Sequence, residues 1–257
     1  MNPDLQKIID SAKAGGEVLK KYFGASLELT QKTIAADFRT KADLESEAVI
    51  LSSLMADFPE YNIVSEEKGS INKNSEYTFY IDPLDGTNNF VLTIANFSIS
   101  IGLFKNDEAV MGVIYNPIID NMYYAEKGKG AFVDGEPLHV NTEATLKNST
   151  VCYSRGYSTS HRVETEVMNQ LYDKGTKRVM SNWSVAFDFC MLVSGRVEAI
   201  ISSGLELHDC AAGKLIAREA GAKITNFDGT PETTDKNLSF VVSNGTGIHE
   251  EILSVIK

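Results

Sequence analysis

Tyr80-Ile81-Asp82-Pro83-Leu84-Asp85-Gly86-Thr87-Asn88-Asn89-Phe90 is the stretch on which the reading turns. A hydrophobic run, Phe79-Tyr80-Ile81, leads into two carboxylates separated by a proline and one apolar residue. Pro83 fixes its own φ and holds Asp82 extended, so the chain turns rigidly where two hard oxygen ligands emerge. Magnesium prefers such ligands, with few carboxylates and several waters. Leu84 has only its backbone carbonyl to offer. Gly86-Thr87 is expected to open a helical turn, whose free N–H groups suit a phosphate. Any single aspartate here reads more simply as a turn former or cap. The fixed set Asp-Pro-x-Asp-Gly-Thr is different: its chance occurrence is roughly one in ten thousand for a chain of this length.

Strands surround this segment. Ile63-Val64-Ser65, Phe97 to Phe104, Ala109 to Tyr115, Met122 to Ala125 and Ala131 to Val133 read as a mostly antiparallel set. Two helices precede them. Asn2 caps the first, which runs to Phe23, and Asp43 to Asp57 is the second, stopped before Pro59. From about residue 145 strands and helices alternate: strands at 150–153, 179, 198–201, 222–225 and 239–242, helices at 161–173, 184–193, 209–220 and 248–256. The division expected is an N-terminal α+β lobe (1–144) and a C-terminal α/β lobe (145–257) forming one unit.

Composition narrows the function. The 257 residues are 43% hydrophobic and 23% charged, with a formal net charge of -11. That balance supports a sizeable core and argues against a nucleic-acid-backbone binder. An acidic protein that handles a phosphate needs cations to invert the local field. Cys152, Cys190 and Cys210 form no CxxC and fit reduced thiols in a cytoplasmic protein. No signal peptide and no membrane-spanning run is visible. There is no HExxH, zinc-like cluster or GxSxG elbow.

Asp82-Pro83-Leu84-Asp85-Gly86-Thr87 resembles the signature of the inositol monophosphatase superfamily, which includes fructose-1,6-bisphosphatases and bisphosphate nucleotidases. Lys32, Asp37, Thr40 and Asp43 are similar to its upstream K-x(4)-D-x-x-T-x-x-D stretch. Glu66-Glu67 resembles its acidic pair, and Asp209-Cys210-Ala211-Ala212-Gly213 its second signature. The resemblance implies a layered α/β (α+β) sandwich in an αβαβα arrangement. It implies two or three Mg2+ ions held by Glu66, Asp82, Asp85, the Leu84 carbonyl and Asp209. It implies that Thr87 and Asp43, with Glu66, activate water. Asp85, Gly86, Thr87, Ser202 and Asp209 are the expected contacts to phosphate and substrate. The activity implied is hydrolysis of a small phosphate ester, an inositol monophosphate or a related sugar or polyol phosphate, by a cytoplasmic homodimer. The alternatives are a 3'(2'),5'-bisphosphate nucleotidase, a fructose-1,6-bisphosphatase or, in a different class, a regulatory partner of the transcription machinery.

The sequence departs from that pattern at three places. His208 stands where the family usually has Trp; it either lines the pocket or packs there, and packing is the reading favoured. Ser202 stands where inositol-specific members carry a hydroxyl-binding Glu, with Glu206 or Ser203 available on the same loop. Asn182-Trp183-Ser184 replaces a run of small residues. Asp43 and Asp209 each have a plainer reading as the N-cap of the helix they begin.

Overall fold

Ile99, Ile101 and Leu103 alternate with Ser98, Ser100 and Gly102, and this period of two gives one strand an apolar face and a face of small residues. The computed structural model describes residues 2–256. In chain order it contains α1 (Pro3–Tyr22), β1 (Thr30–Gln31), β2 (Phe38–Arg39), α2 (Lys41–Asp57), β3 (Asn62–Ser65), β4 (Gly69–Ile71), β5 (Tyr77–Asp85), α3 (Thr87–Val91), β6 (Ser98–Lys105), β7 (Glu108–Asn116) and β8 (Asn121–Glu126). There follow β9 (Ala131–Val133), β10 (Glu136–Pro137), β11 (Thr150–Arg155), α4 (His161–Asp173), β12 (Arg178–Met180), α5 (Val185–Val193), β13 (Ala199–Ser203), α6 (Leu207–Glu219), β14 (Lys223–Thr225), β15 (Phe240–Ser243) and α7 (Ile248–Leu253).

Eight strands form the first sheet in the order β10-β9-β8-β7-β6-β5-β3-β4, and five form the second in the order β12-β11-β13-β15-β14. The first sheet is antiparallel except between β3 and β5. Three apolar clusters define the layers. Helices α1 and α2 pack on the Ile99/Ile101/Leu103 face of the first sheet. Helices α5 and α6 fill the space between the sheets. Helices α4 and α7 cover the far face of the second. The result is a layered αβαβα sandwich, the fold class expected from the sequence.

Close approach of α6 to the first sheet depends on side-chain size. A Cβ on Gly102 of β6 would lie 2.9 Å from the Ala211 Cβ, and one on Gly112 of β7 would lie 2.9 Å from the Ala212 carbonyl oxygen. Glycines on the sheet opposite alanines on the helix therefore let two backbones meet. Ser100 Oγ then donates to the His208 carbonyl at 3.2 Å and fixes the first turn of α6 over β6.

Two helix starts differ from the sequence reading. Helix α2 begins at Lys41 with Thr40 as its cap, and α6 begins at Leu207 with Glu206 as its cap. Asp43 and Asp209 are thus the third residues of their helices, not caps. The reason is a capping box at each start: the N3 carboxylate reaches back to the N-cap backbone N–H. The closing helix also stops at Leu253, short of Ile256. The three cysteines are free and buried. Among the described residues no helix is long and apolar enough to cross a membrane.

Candidate functional site

Two aspartates three residues apart on a regular strand would face opposite sides of the sheet. A bulge in β5 prevents this. Asp82 pairs with Ser100 and Asp85 with Ser98, so Pro83 and Leu84 together oppose the single residue Ile99. The bulge is also where a proline, which has no N–H for the ladder, is tolerated inside a sheet. Leu84 packs with Ile81 and Ile99 on the α1/α2 side. The chain then leaves the strand through Gly86, whose φ is +94°, and enters the short helix α3 at Thr87. A Cβ at Gly86 would lie 2.9 Å from the Asn96 carbonyl oxygen and 3.0 Å from the Ser184 Cβ, so only glycine fits this corner.

Because β3 runs parallel to β5, both strands deliver their C-terminal ends to the same edge. Glu66 follows β3 directly, and its N–H donates to the Ile81 carbonyl at 3.1 Å, beside Asp82. The turn after it is held from α2. Glu47 Oε1 accepts the Glu67 and Lys68 N–H groups at 3.0 and 2.9 Å and the Ser65 hydroxyl. Lys32, delivered by the β1–β2 hairpin, donates to Glu66 Oε1 at 2.8 Å and pairs with Glu67. Glu67 also pairs with Arg39 at 3.1 Å.

The two capping boxes aim the remaining carboxylates. Asp43 Oδ2 accepts the Thr40 N–H at 2.8 Å and its hydroxyl at 2.6 Å. Its other oxygen, Oδ1, lies 3.0 Å from Thr87 Oγ1. Asp209 Oδ2 likewise accepts the Glu206 N–H at 2.8 Å, while its Oδ1 lies 3.3 Å from His208 Nε2. In each case the helix start consumes one carboxylate oxygen and leaves the other directed at the site. Thr87 Oγ1 is also 3.1 Å from the Leu84 carbonyl oxygen. Asp85 is more heavily engaged. It accepts the Ser184 hydroxyl at 2.5 Å and the Val185 and Ala186 N–H groups at 3.2 and 2.9 Å, which satisfies free donors at the N-terminus of α5.

Burial, with neighbouring charge behind it, raises most of these carboxyls. Burial lifts Asp43 to about 6 against the hydrogen bonds from Thr40. Burial, and the charge of Asp209, lift Asp85 to about 8 against the Ser184 bond. Burial also lifts Asp209 to about 6, with His208 opposing and Glu66 adding to the shift. Asp82 is raised well above the carboxylate range by burial and then by Glu66, Asp85 and Asp209. Glu66 goes the other way. Burial opposes its ionisation, but the Lys32 cation and His208 outweigh it and hold the carboxyl below its ordinary value. Asp82 and Glu66 are therefore shifted in opposite directions, Asp82 toward its neutral form and Glu66 toward its charged one. A donor atom from each of Glu66, Asp82 and His208 lies within 4.8 Å of the others. Buried carboxylates that suppress one another's charge and converge on one point are a donor set that a divalent cation fits.

A family model described as the inositol monophosphatase family matches residues 2–257. The chain belongs to the inositol monophosphatase family. It is 32% identical over 264 aligned positions to a fructose-1,6-bisphosphatase/inositol-1-monophosphatase of Aquifex aeolicus, covering 99% of this chain and 97% of that one. It is 34% identical over 233 positions to Nus factor SuhB of Haemophilus influenzae, covering 89% and 86%. Among solved structures it superposes on extragenic suppressor protein suhB of Bartonella henselae with a TM-score of 0.91 at 27% identity, covering 98% and 97%. Members of the inositol monophosphatase family are phosphatases acting on small phosphate esters, and they depend on a metal, generally Mg2+.

Within this inositol monophosphatase fold, Glu66, Asp82, Leu84, Asp85, Gly86, Thr87, Asp43 and Asp209 gather at the edge where β3, β5, α2, α5 and α6 meet. Ser202 lies on β13. It is fully buried there and its hydroxyl donates to the Leu238 carbonyl at 3.4 Å. His208 does more than pack: its ring meets carboxylates of Glu66, Asp82 and Asp209. Three contributors were missed. Glu47 and Ser184 act through the backbone of a turn and the start of a helix, which no spacing signals. Tyr157, on the loop after β11, accepts from Asn88 Nδ2 at 3.3 Å. Its phenol is pushed up to about 12, by burial first and then by Asp37, Glu66 and Asp209.

Proposed function

We propose that this chain hydrolyses the phosphate monoester of a polyol or sugar, with Glu66, Asp82, Asp85, Asp209 and the Leu84 carbonyl holding two or three Mg2+ ions. When bound, the cations neutralise the phosphate and acidify the attacking water. The observation that carries the reading is the convergence of Glu66, Asp82 and Asp209 next to the Thr87–Asp43 pair. A hydroxyl has one proton to give. With that proton on Asp43 Oδ1, the lone pairs of Thr87 Oγ1 accept from a water and set its direction of attack. As the water oxygen bonds to phosphorus and the ester P–O bond breaks, the water's proton passes to Thr87 Oγ1 and the Thr87 proton to Asp43, which burial raises to about 6 and so suits as general base close to neutral pH, while the leaving alkoxide takes a proton from solvent. The N-terminal turn of α3 and Gly86 orient the phosphate, and Asp85 ties that turn to α5.

Ser202 offers no carboxylate to vicinal hydroxyls, so inositol 1-phosphate is expected to rank below a better polyol or sugar ester. The reading also takes the enzyme to be a cytoplasmic homodimer. A regulatory role in transcription is not favoured; the full set of carboxylates supports catalysis. Phosphate release should be measured over a panel of inositol 1-phosphate, other polyol and sugar monophosphates, fructose 1,6-bisphosphate and adenosine 3',5'-bisphosphate, each with Mg2+ and with chelator. A polyol or sugar monophosphate should give the highest kcat/KM. The highest kcat/KM for a bisphosphate, or no release from any ester, would overturn the proposal.

A further inference from the structure

Two histidines of this chain are buried, and their surroundings differ in kind. His249 is bonded on both ring nitrogens, to Thr225 Oγ1 at 2.9 Å and to Ser243 Oγ at 2.8 Å. Such a ring is satisfied and structural. His208 instead has Asp209 Oδ1 at 3.3 Å from Nε2, and a ring nitrogen within 4.8 Å of carboxylate oxygens of both Glu66 and Asp82. Its place is not loose. It is the second residue of α6, its carbonyl is held by Ser100, and Ser100 is the register partner of Asp82. The glycine–alanine contact of α6 with β6 and β7 sets the depth of that turn. The imidazole is therefore built into the carboxylate cluster by the same contacts that deliver Asp209.

We propose that His208 is a direct nitrogen ligand in a cation site formed with Glu66 and Asp82, and that this site selects divalent transition metals over Mg2+. The inference rests on the reading that these carboxylates hold a metal. Its chemical basis is ligand type. Mg2+ takes hard oxygens in a strict octahedron and gains little from an imidazole. Zn2+ and the later first-row ions suit imidazole, with affinities that rise along the series from Mn2+; Mn2+ itself stands nearest Mg2+ in its liking for oxygen but, as a transition ion, also takes an imidazole nitrogen. Two carboxylates and one nitrogen leave positions open for water and a phosphate oxygen, so the site remains one at which an ester can be processed.

Mn2+ is the probe, because its pulsed electron-spin-echo spectrum reports nitrogen bound to the ion without reference to turnover. Metal-stripped full-length protein should be loaded with Mn2+ and compared with protein labelled with 15N-histidine. Wild type should show imidazole nitrogen modulation that changes with the label. Among the described residues no other histidine joins this cluster, so the signal should vanish in both His208→Phe and His208→Gln. Losing even an outer-shell partner costs roughly 10- to 100-fold in metal affinity, so His208→Phe should weaken Mn2+ by about tenfold or more. Mg2+ affinity should change by less than about threefold, lowering the Mn2+/Mg2+ preference accordingly. Mn2+ bound with oxygen ligands alone in wild type would overturn the inference while leaving the metal reading intact. A gain in Mn2+ affinity in the variants would do the same, marking His208 as a cation that competes with metal. Failure of Mn2+ and Mg2+ to bind at all would overturn both. The wild-type spectrum decides the first point whether or not the variants fold.

Discussion

Thr87 Oγ1 lies 3.0 Å from Asp43 Oδ1, although 44 residues separate them in the chain. The contact joins the first turn of α2 to the corner where β5 becomes α3. The capping box of α2 holds Asp43 Oδ2 on Thr40 and turns Oδ1 toward Thr87. Gly86 provides the left-handed corner that presents Thr87. Removing either partner should therefore damage catalysis much more than substrate binding. Thr87→Ala and Asp43→Asn should each lower kcat by about 10²–10⁴, with KM changed little, and Thr87→Ser should recover most of the loss. Steady-state kinetics on the best ester checks this. A large rise in KM at normal kcat would assign the pair to binding instead.

Metal-free stability should depend on pH in a defined sense. Asp43 and Asp209 stand at about 6, Asp85 at about 8 and Asp82 well above its ordinary value near 3.8. Each binds its proton more tightly in the folded chain than in the unfolded one. Their stabilising contribution is fully present below their unfolded values and is lost as pH rises through the folded ones. Glu66, held low, contributes in the opposite sense, but it is one group against four. In chelator, the melting temperature should fall as pH rises from about 5 to about 8. Mg2+ should restore more at the upper end than at the lower, because ligation requires deprotonated carboxylates. Asp85→Asn should flatten the metal-free profile. Melting followed by circular dichroism, with and without Mg2+, checks the slope; a rise in metal-free stability across this range would contradict it.

The position of α6 can be tested through Gly102. Its absent side chain leaves room for Ala211, with 2.9 Å between their Cβ positions if one were added. Gly102→Val should overpack this contact and cost about 1–3 kcal/mol in urea unfolding. It should also weaken metal binding, since the turn carrying His208 and Asp209 sits on the same contact. Unchanged stability would mean that the helix can slide outward freely.

The sequence made the layered fold and most of the site legible, for identifiable reasons. The run around Asp82 to Thr87 carries its chemistry in consecutive residues, and strand alternation from Phe97 to Phe104 separates the faces of β6 without further information. What stayed hidden depends on contacts between distant segments. Asp43 and Asp209 read as the first residues of their helices because a carboxylate near a helix start is ambiguous by about one turn; the deciding N-cap hydrogen bond is visible only in space. The bulge that puts Asp82 and Asp85 on one face needs the register against Ser98 and Ser100. His208 read as packing because one residue before Asp209 carries no direction, whereas the depth of α6 on Gly102 and Gly112 supplies it. Ser202 read as a substrate contact by counting along the chain, and β13 buries it.

The measurement that bears most directly on the account is a stepwise return of Mg2+ to chelator-stripped protein, with occupancy followed by calorimetry and phosphate release followed at each point. Carboxylates as crowded as Glu66, Asp82 and Asp209 cannot receive a phosphate without cations between them. Turnover should be absent in excess chelator and rise with occupancy. Asp209→Asn should lose both Mg2+ affinity and at least about 10²-fold in kcat while remaining folded. Full turnover in excess chelator, or Asp209→Asn binding Mg2+ and releasing phosphate as wild type does, would contradict the account.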